Sequence, residues 1–324
     1  MIVRWGLASY ADLLAELGIE RPLVVTSPRW TSLGLRAERV FDGVRHHVPA
    51  SSVEAATQAA EGCDGLVAVG GGSAIDTGKA VSAALGLPVV SIPTTYSGAE
   101  WTTGYGMLDE EARVKRGGGG AHLAGIVYDE ELTLGLPRAE SGGTAMNALA
   151  HCAEALYVEG RNPDADREAL AGATRIADAL PAVLADGGNR AARHDLLEGA
   201  VHGGAALAGA GLGLAHALAQ AVGARFGIAH GASNALCLPP ALRFNEPVAH
   251  AEIARFADAL GTDDAPGRVE ELARLAGFER LRDLGVPEDE LDEAAAAAVV
   301  RPGARMNPRP ATAEEAAELL RSIW

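Results

Sequence analysis

Three histidines stand where imidazole chemistry can be assembled. Asn147 and His151 are four residues apart in a segment with helical spacing, so both project from one face. His216 lies in a stretch without Asp, Glu, Lys or Arg, residues 201–224, and His230, after Gly227, Ile228 and Ala229, reads as part of a loop. A single histidine in an apolar helix is usually a core residue with satisfied nitrogens. Three of them, with a polar Asn on the same face as one, are better explained by a shared cleft. Imidazoles suit a divalent iron or zinc ion. Without a metal they bind substrate and relay protons near neutral pH.

A second set is built on glycine. Gly70, Gly71, Gly72 and Ser73 follow the apolar run DGLVAVG (64–70) and open a helix. Glycine lets the backbone turn tightly and approach a ligand. The helix start offers N–H groups and partial positive charge to a phosphate or pyrophosphate. Ser73 with Asp76 matches a capping box. The spacing is not G-x-G-x-x-G, so the glycines taken alone also fit a plain strand–helix turn. The next strand ends in Thr94, Thr95, Tyr96 and Ser97, hydroxyls suited to ribose and phosphate contacts.

Strands and helices must position these residues. In the first 130 residues, short apolar runs at 23–25, 64–70, 87–92 and 126–128 alternate with helical segments, among them 73–85. Strand–helix–strand repetition implies a doubly wound parallel sheet. Residues 117–120, four glycines, read as a loop. Past 137 the strand-like runs give way to Ala- and Leu-rich helices, at 145–159, 167–185, 193–224, 247–260 and 268–276. Thr312 with Glu315 forms a capping box for the last helix. The chain thus reads as an α/β domain, 1–137, and an all-α domain, 138–324, that carries the histidines.

Composition narrows the function. With 48 % hydrophobic residues the 324-residue chain folds around a core. With 27 Lys and Arg against 43 Asp and Glu its net charge is −16, which argues against binding nucleic acid or an anionic membrane. A small anionic substrate remains compatible, because local cations can overcome the global field. Lys115, Arg116, Arg225 and Arg243 are the candidates. Three cysteines without CxxC spacing, and no basic–apolar leader, fit a reducing cytoplasm. The uncharged stretch 201–224 is long enough to span a bilayer, but its Gly, Ala, His and Gln content reads as a helix buried in the protein.

Several segments together resemble the iron-containing alcohol dehydrogenase superfamily. They are GGGSAIDTGKA (70–80), SIPTTYSGAEWT (91–102), VKR (114–116), VYDEELTLGLP (127–137), MNALAHCAEALY (146–157) and HALAQAVGARFGIAHGASNALCLPPALRFN (216–245). Within the superfamily they look most like its maleylacetate reductases, and VFDGVRHHVP (40–49) and NPRPATAEEAAELL (307–320) fit the same group. The resemblance implies the dehydroquinate synthase-like fold, a Rossmann-like domain plus a helical domain with the active site between them, and a cytoplasmic homodimer. It places the pyrophosphate on Gly71, Gly72 and Ser73. Asp76, Thr94, Thr95, Ser97 and Lys115 would line the rest of an NADH or NADPH site. The segment 26–29 lacks the Asp that disfavours a 2′-phosphate, so NADPH should be tolerated.

Metal-dependent relatives hold iron or zinc with an Asp and three His. The matching positions are Asn147, His151, His216 and His230, so the one anionic ligand is replaced by an amide. Gln220 stands where alcohol dehydrogenases of the family carry a further, proton-relaying His. Both departures favour metal-free reduction of an activated C=C bond, maleylacetate to 3-oxoadipate in the breakdown of aromatic compounds, with Asn147, His151, His216 and His230 catalytic. Any metal that did bind would be held by His151, His216 and His230. Rival readings are a metal-dependent alcohol or aldehyde oxidoreductase, a non-redox enzyme on this fold, and a nucleotide-binding protein without turnover.

Overall fold

The computed structural model describes residues 1–110 and 114–324, the side chains of residues 114 and 115 excepted. It divides into two compact units. One comprises Met1–Thr95 and Ala99–Thr133; the other comprises Tyr96–Gly98 and Leu134–Trp324.

The first unit is built on a parallel sheet of six strands. They are β1 (Ile2–Trp5), β2 (Pro22–Val25), β3 (Arg39–Phe41), β4 (Gly65–Gly70), β5 (Pro88–Pro93) and β8 (His122–Tyr128), in the order β1-β8-β5-β4-β2-β3. A separate antiparallel hairpin joins β6 (Tyr105–Asp109) to β7 (Val114–Gly118). The central strands are continuously apolar because both sheet faces are covered. Val67 and Val69 of β4 point toward Leu13 and Leu14 of α1 (Tyr10–Glu16). Leu66 and Ala68 point the other way, toward Val53 and Ala56 of α2 (Ala50–Ala59) and Ala80 and Val81 of α3 (Gly72–Leu85).

Four expectations need correction here. β1, β3, β6 and β7 lack a long apolar run: β1 and β3 are edge strands with exposed residues, and β6 is only half-buried. Gly117 and Gly118 lie in β7 rather than in a loop, and Gly118 is pressed against the Tyr105 ring. Helix α3 begins one residue before Ser73, at Gly72, with Gly71 as its N-cap and no side-chain cap. Asp76 is turned instead to Lys79 and the Gly106 N–H.

The second unit is helical. Its elements are α4 (Arg138–Ala155), α5 (Pro163–Ala185), α6 (Arg190–Ala210), α7 (Leu214–Phe226), α8 (His230–Ala259), α9 (Ala265–Ala276), α10 (Leu291–Val299), α11 (Pro302–Met306) and α12 (Ala313–Ser322). Helix α4 is buried on all sides over most of its length from Ser141 to Ala155, which is the pattern of a central core helix. The expected single helix over 193–224 is two. Gly211, with φ +94°, ends α6, and α7 leaves at 104° to it. Among the described residues no single helix is long and apolar enough to cross a membrane. The Thr312–Glu315 capping box of α12 is present with both of its hydrogen bonds.

Candidate active site

The glycine set lies where β4 ends and α3 begins. Gly70 has φ +143°, a conformation that side-chain-bearing residues avoid. A Cβ on Gly71 would stand 2.9 Å from the Thr95 methyl group. No side chain caps α3, and the Ala74 and Ile75 N–H groups turn back to the Gly71 carbonyl, which leaves those of Gly72 and Ser73 for an acceptor. Thr94 donates its backbone N–H to the Gly70 carbonyl at 3.1 Å, which fixes the end of β5 beside the loop. Thr95 Oγ1 is buried without a partner. A bare helix start, a glycine cradle and an orphaned hydroxyl fit a dinucleotide phosphate. Asp76 is less available: it pairs with Lys79 Nζ at 2.8 Å and accepts from the Gly106 N–H at 3.0 Å. The Lys115 side chain lies outside the described residues.

The histidines converge in the helical unit. Asn147 and His151 share a face of α4, His216 is in the first turn of α7, and His230, expected in a loop, instead opens α8. The helices approach closely because small residues line their crossings: a Cβ on Gly231 would stand 2.2 Å from the Gly143 carbonyl oxygen. The His151 and His216 rings stack with centroids 4.8 Å apart, and His216 and His230 are 5.7 Å apart. Ser97 enters this set through its backbone, since its carbonyl accepts from Asn147 Nδ2 at 2.9 Å. Tyr96 anchors that segment: its buried hydroxyl accepts from Arg193 Nη1 at 3.0 Å, and its N–H donates to Thr144 Oγ1 at 3.3 Å.

Hydrogen bonding sets the directions. The Ser97 carbonyl only accepts, so the Asn147 amide nitrogen faces it and Oδ1 faces the opposite way. That oxygen receives Asn234 Nδ2 at 2.7 Å and lies 3.3 Å from His216 Nε2. The other nitrogen of His216, Nδ1, lies 2.6 Å from Glu154 Oε2. Glu154 is fully buried and also accepts the N–H groups of Gly213 at 2.8 Å and His216 at 3.2 Å. Both ring nitrogens of His216 thus face oxygen atoms, which fixes the orientation of the ring. His151 differs. Burial, and then the neighbouring His216 and His230, hold its pKa well below the ordinary value. It is therefore a neutral imidazole, with Nε2 3.4 Å from Asn147 Nδ2. His230 is exposed, and its Nε2 lies 3.0 Å from Asn234 Nδ2.

Glu154 and Asn234 escaped the sequence reading. Spacing points to both. Glu154 is seven residues after Asn147, on the helix face already singled out, and Asn234 is four after His230, in a stretch expected to be a loop that is instead the start of α8. The cations expected to face the substrate are engaged elsewhere: Arg116 pairs with Asp109, Arg225 with Glu290 and Glu293, and Arg243 with Glu270. They are exposed, and carboxylates within reach neutralise them.

This order of elements agrees with known proteins along the whole chain. Residues 4–124 match the family model described as iron-containing alcohol dehydrogenase, and residues 142–324 match that of the Fe-containing alcohol dehydrogenase family, C-terminal. The chain belongs to the iron-containing alcohol dehydrogenase family. It is accordingly an oxidoreductase working with a nicotinamide coenzyme. It is 37 % identical to a maleylacetate reductase from Burkholderia cepacia over 95 % of this chain and 91 % of that one. Among solved structures it superposes on a putative alcohol dehydrogenase from Ralstonia eutropha with a TM-score of 0.93 at 35 % identity, covering 100 % of this chain and 95 % of that one. A maleylacetate reductase from Agrobacterium tumefaciens gives 0.91 at 32 %, with the same coverage.

The family name implies an iron ion, and the donor set can be tested for it. Among the described residues no three His, Cys, Asp or Glu side chains are arranged to hold a metal. The one carboxylate in the cluster is turned to the far nitrogen of His216 and to backbone N–H groups. Residue 147 is a neutral amide whose two ends are already hydrogen-bonded. A divalent ion here would meet imidazoles alone, without the anionic ligand that offsets its charge. The donor set offers such an ion no carboxylate.

Proposed function

We propose that the protein reduces the conjugated C=C bond of maleylacetate, or of a substituted analogue, to give 3-oxoadipate, and that it does so without a metal ion. The observation that carries this reading is Asn147, whose amide occupies by hydrogen bonding the centre that a metal would otherwise organise. Full-length similarity to maleylacetate reductases supports the same substrate. The 26–29 segment after β2 has no carboxylate to repel a 2′-phosphate, so both NADH and NADPH are expected to serve.

The reduced nicotinamide, when bound, supplies a hydride to the alkene carbon β to the ketone. The protein must bind the two charged substrate ends, receive the negative charge that develops on the ketone oxygen, and deliver a proton to the α-carbon. Gly71, Gly72 and Ser73 present backbone N–H groups for the coenzyme phosphates. The histidine cluster supplies donors for the enolate oxygen. His230 is exposed, with Nε2 3.0 Å from Asn234 Nδ2, and is the histidine of the cluster placed to give a proton to carbon. His216, held by Glu154 through Nδ1, keeps its ring turned to the Asn147 amide oxygen. His151, neutral, adds no competing charge.

The test is oxidation of NADH and NADPH with maleylacetate, with the product identified as 3-oxoadipate. Turnover with at least one coenzyme is expected. No turnover with either contradicts the assignment.

A further inference from the structure

A dianionic substrate needs a cation, and the arginines expected to provide it are paired with acids. Arg301, directly before α11, is different. Its Nη1 meets Gln220 Oε1 at 3.4 Å, the long end of a hydrogen bond, and its Nε is buried without any partner. Among the described residues no carboxylate reaches it. Burial alone moves its pKa, below the ordinary arginine value, and no neighbouring acid offsets that. Buried Arg193 also lacks an acid, but it is satisfied by oxygens of Gly187, Tyr96, Ser141 and Leu136. A half-buried guanidinium without such partners is unfavourable until an anion arrives.

The place of Arg301 in the fold indicates which anion. Gln220 is four residues after His216 on α7, so the two share a face about 6 Å apart along the axis. Side chains tilt toward a helix N-terminus, which leans the Gln220 amide toward His216. Helix α11 is seated on the same end of α7, since a Cβ on Gly303 would stand 2.6 Å from the Gly213 carbonyl oxygen. A histidine at 220 would add a second positive charge on protonation, whereas the glutamine offers Arg301 an oxygen. We propose that Arg301 is the substrate's carboxylate anchor: its guanidinium binds one end of a dicarboxylate while Gln220 aims it. This rests on the reading of a dicarboxylate substrate given above.

The test compares wild type, Arg301→Gln and Arg301→Lys, each checked for an unchanged melting temperature. Two readouts are used: KM for maleylacetate, and Kd for adipate, a saturated six-carbon dicarboxylate, measured by calorimetry on the NAD-loaded protein. Loss of a charge-assisted carboxylate contact is worth about 10- to 100-fold. Both constants should rise by that factor in Arg301→Gln and by less in Arg301→Lys, with coenzyme affinity unchanged. Equal adipate affinity in wild type and Arg301→Gln, no adipate binding by wild type, or a change confined to coenzyme affinity overturns the proposal. If wild type fails to turn over maleylacetate while adipate binding still depends on Arg301, the anchor stands and the substrate assignment falls. If turnover is normal and adipate binding is independent of Arg301, the substrate assignment stands and the anchor falls.

Discussion

Among the described residues each unit buries one carboxylate, and the two are treated differently. Glu154, in the helical unit, accepts from two backbone N–H groups and faces an imidazole nitrogen at 2.6 Å. Glu100, in the α/β unit, accepts from the Tyr128 hydroxyl at 2.7 Å through Oε1, while Oε2 has no partner. Burial therefore raises the Glu100 pKa, against the smaller opposing effects of Tyr128, its own backbone and Lys79. A carboxylate with donors on both oxygens can hold a histidine ring in place. One with a single hydroxyl donor is more easily kept as the neutral acid. The difference marks which unit spends its buried charge on orienting a reactive group.

Replacing each carboxylate tests that contrast. Glu154→Ala removes the partner of His216 and leaves two buried N–H groups without an acceptor. Breaking a buried pair this way should cost about 3–5 kcal/mol of stability, read from urea unfolding, and should abolish turnover. A loss under about 1 kcal/mol would mean that Glu154 does not hold the cluster. Asn147→Asp is the intermediate case. It sets a carboxylate oxygen against the Ser97 carbonyl, so stability should fall by about 1–3 kcal/mol. It also restores an anionic ligand, so zinc should bind more tightly than to wild type in a direct titration. Unchanged zinc affinity would show that the amide is not what disfavours the ion.

Glu100→Gln is expected to have the smallest effect, and of opposite sign. A carboxyl whose folded-state pKa is raised above its unfolded value of 4.5 contributes stability that is present below pH 4.5 and is lost as pH rises through the folded value. The variant should therefore be more stable than wild type at pH 8 and no more stable near pH 4. The difference should grow with a slope of at most about 1.4 kcal/mol per pH unit. A constant offset across that range would show that the Glu100 pKa is not raised by folding.

How far the sequence revealed this depended on whether a signal was local. The glycine loop was legible because a buried parallel strand is a continuous apolar run, and a glycine cluster at its end marks a tight turn into the next helix. Edge strands such as β1, with exposed Arg4 and Trp5, carry no such run and were missed. Asn147 and His151 were legible from their four-residue spacing. Glu154 lies on the same helical face, yet a glutamate in a helix reads as a surface residue until its burial is known, and Asn234 fell in a stretch not expected to be helical. Ser73 and Asp76 matched a capping pattern, but the helix starts a residue early and Lys79 takes the aspartate. Arg301 could not be singled out at all. Only the fold decides which arginines meet acids, and it leaves this one to a neutral amide.

The central claim is that an amide-centred hydrogen-bond network, not a metal ion, organises the reaction. The most direct test is to measure maleylacetate-dependent NADH oxidation alongside iron and zinc content, before and after exhaustive chelation and after adding each metal back. The account predicts undiminished turnover at far less than one metal ion per chain, and no gain on adding either ion. Activity that falls in proportion to the metal removed, and returns with iron or zinc, would contradict it.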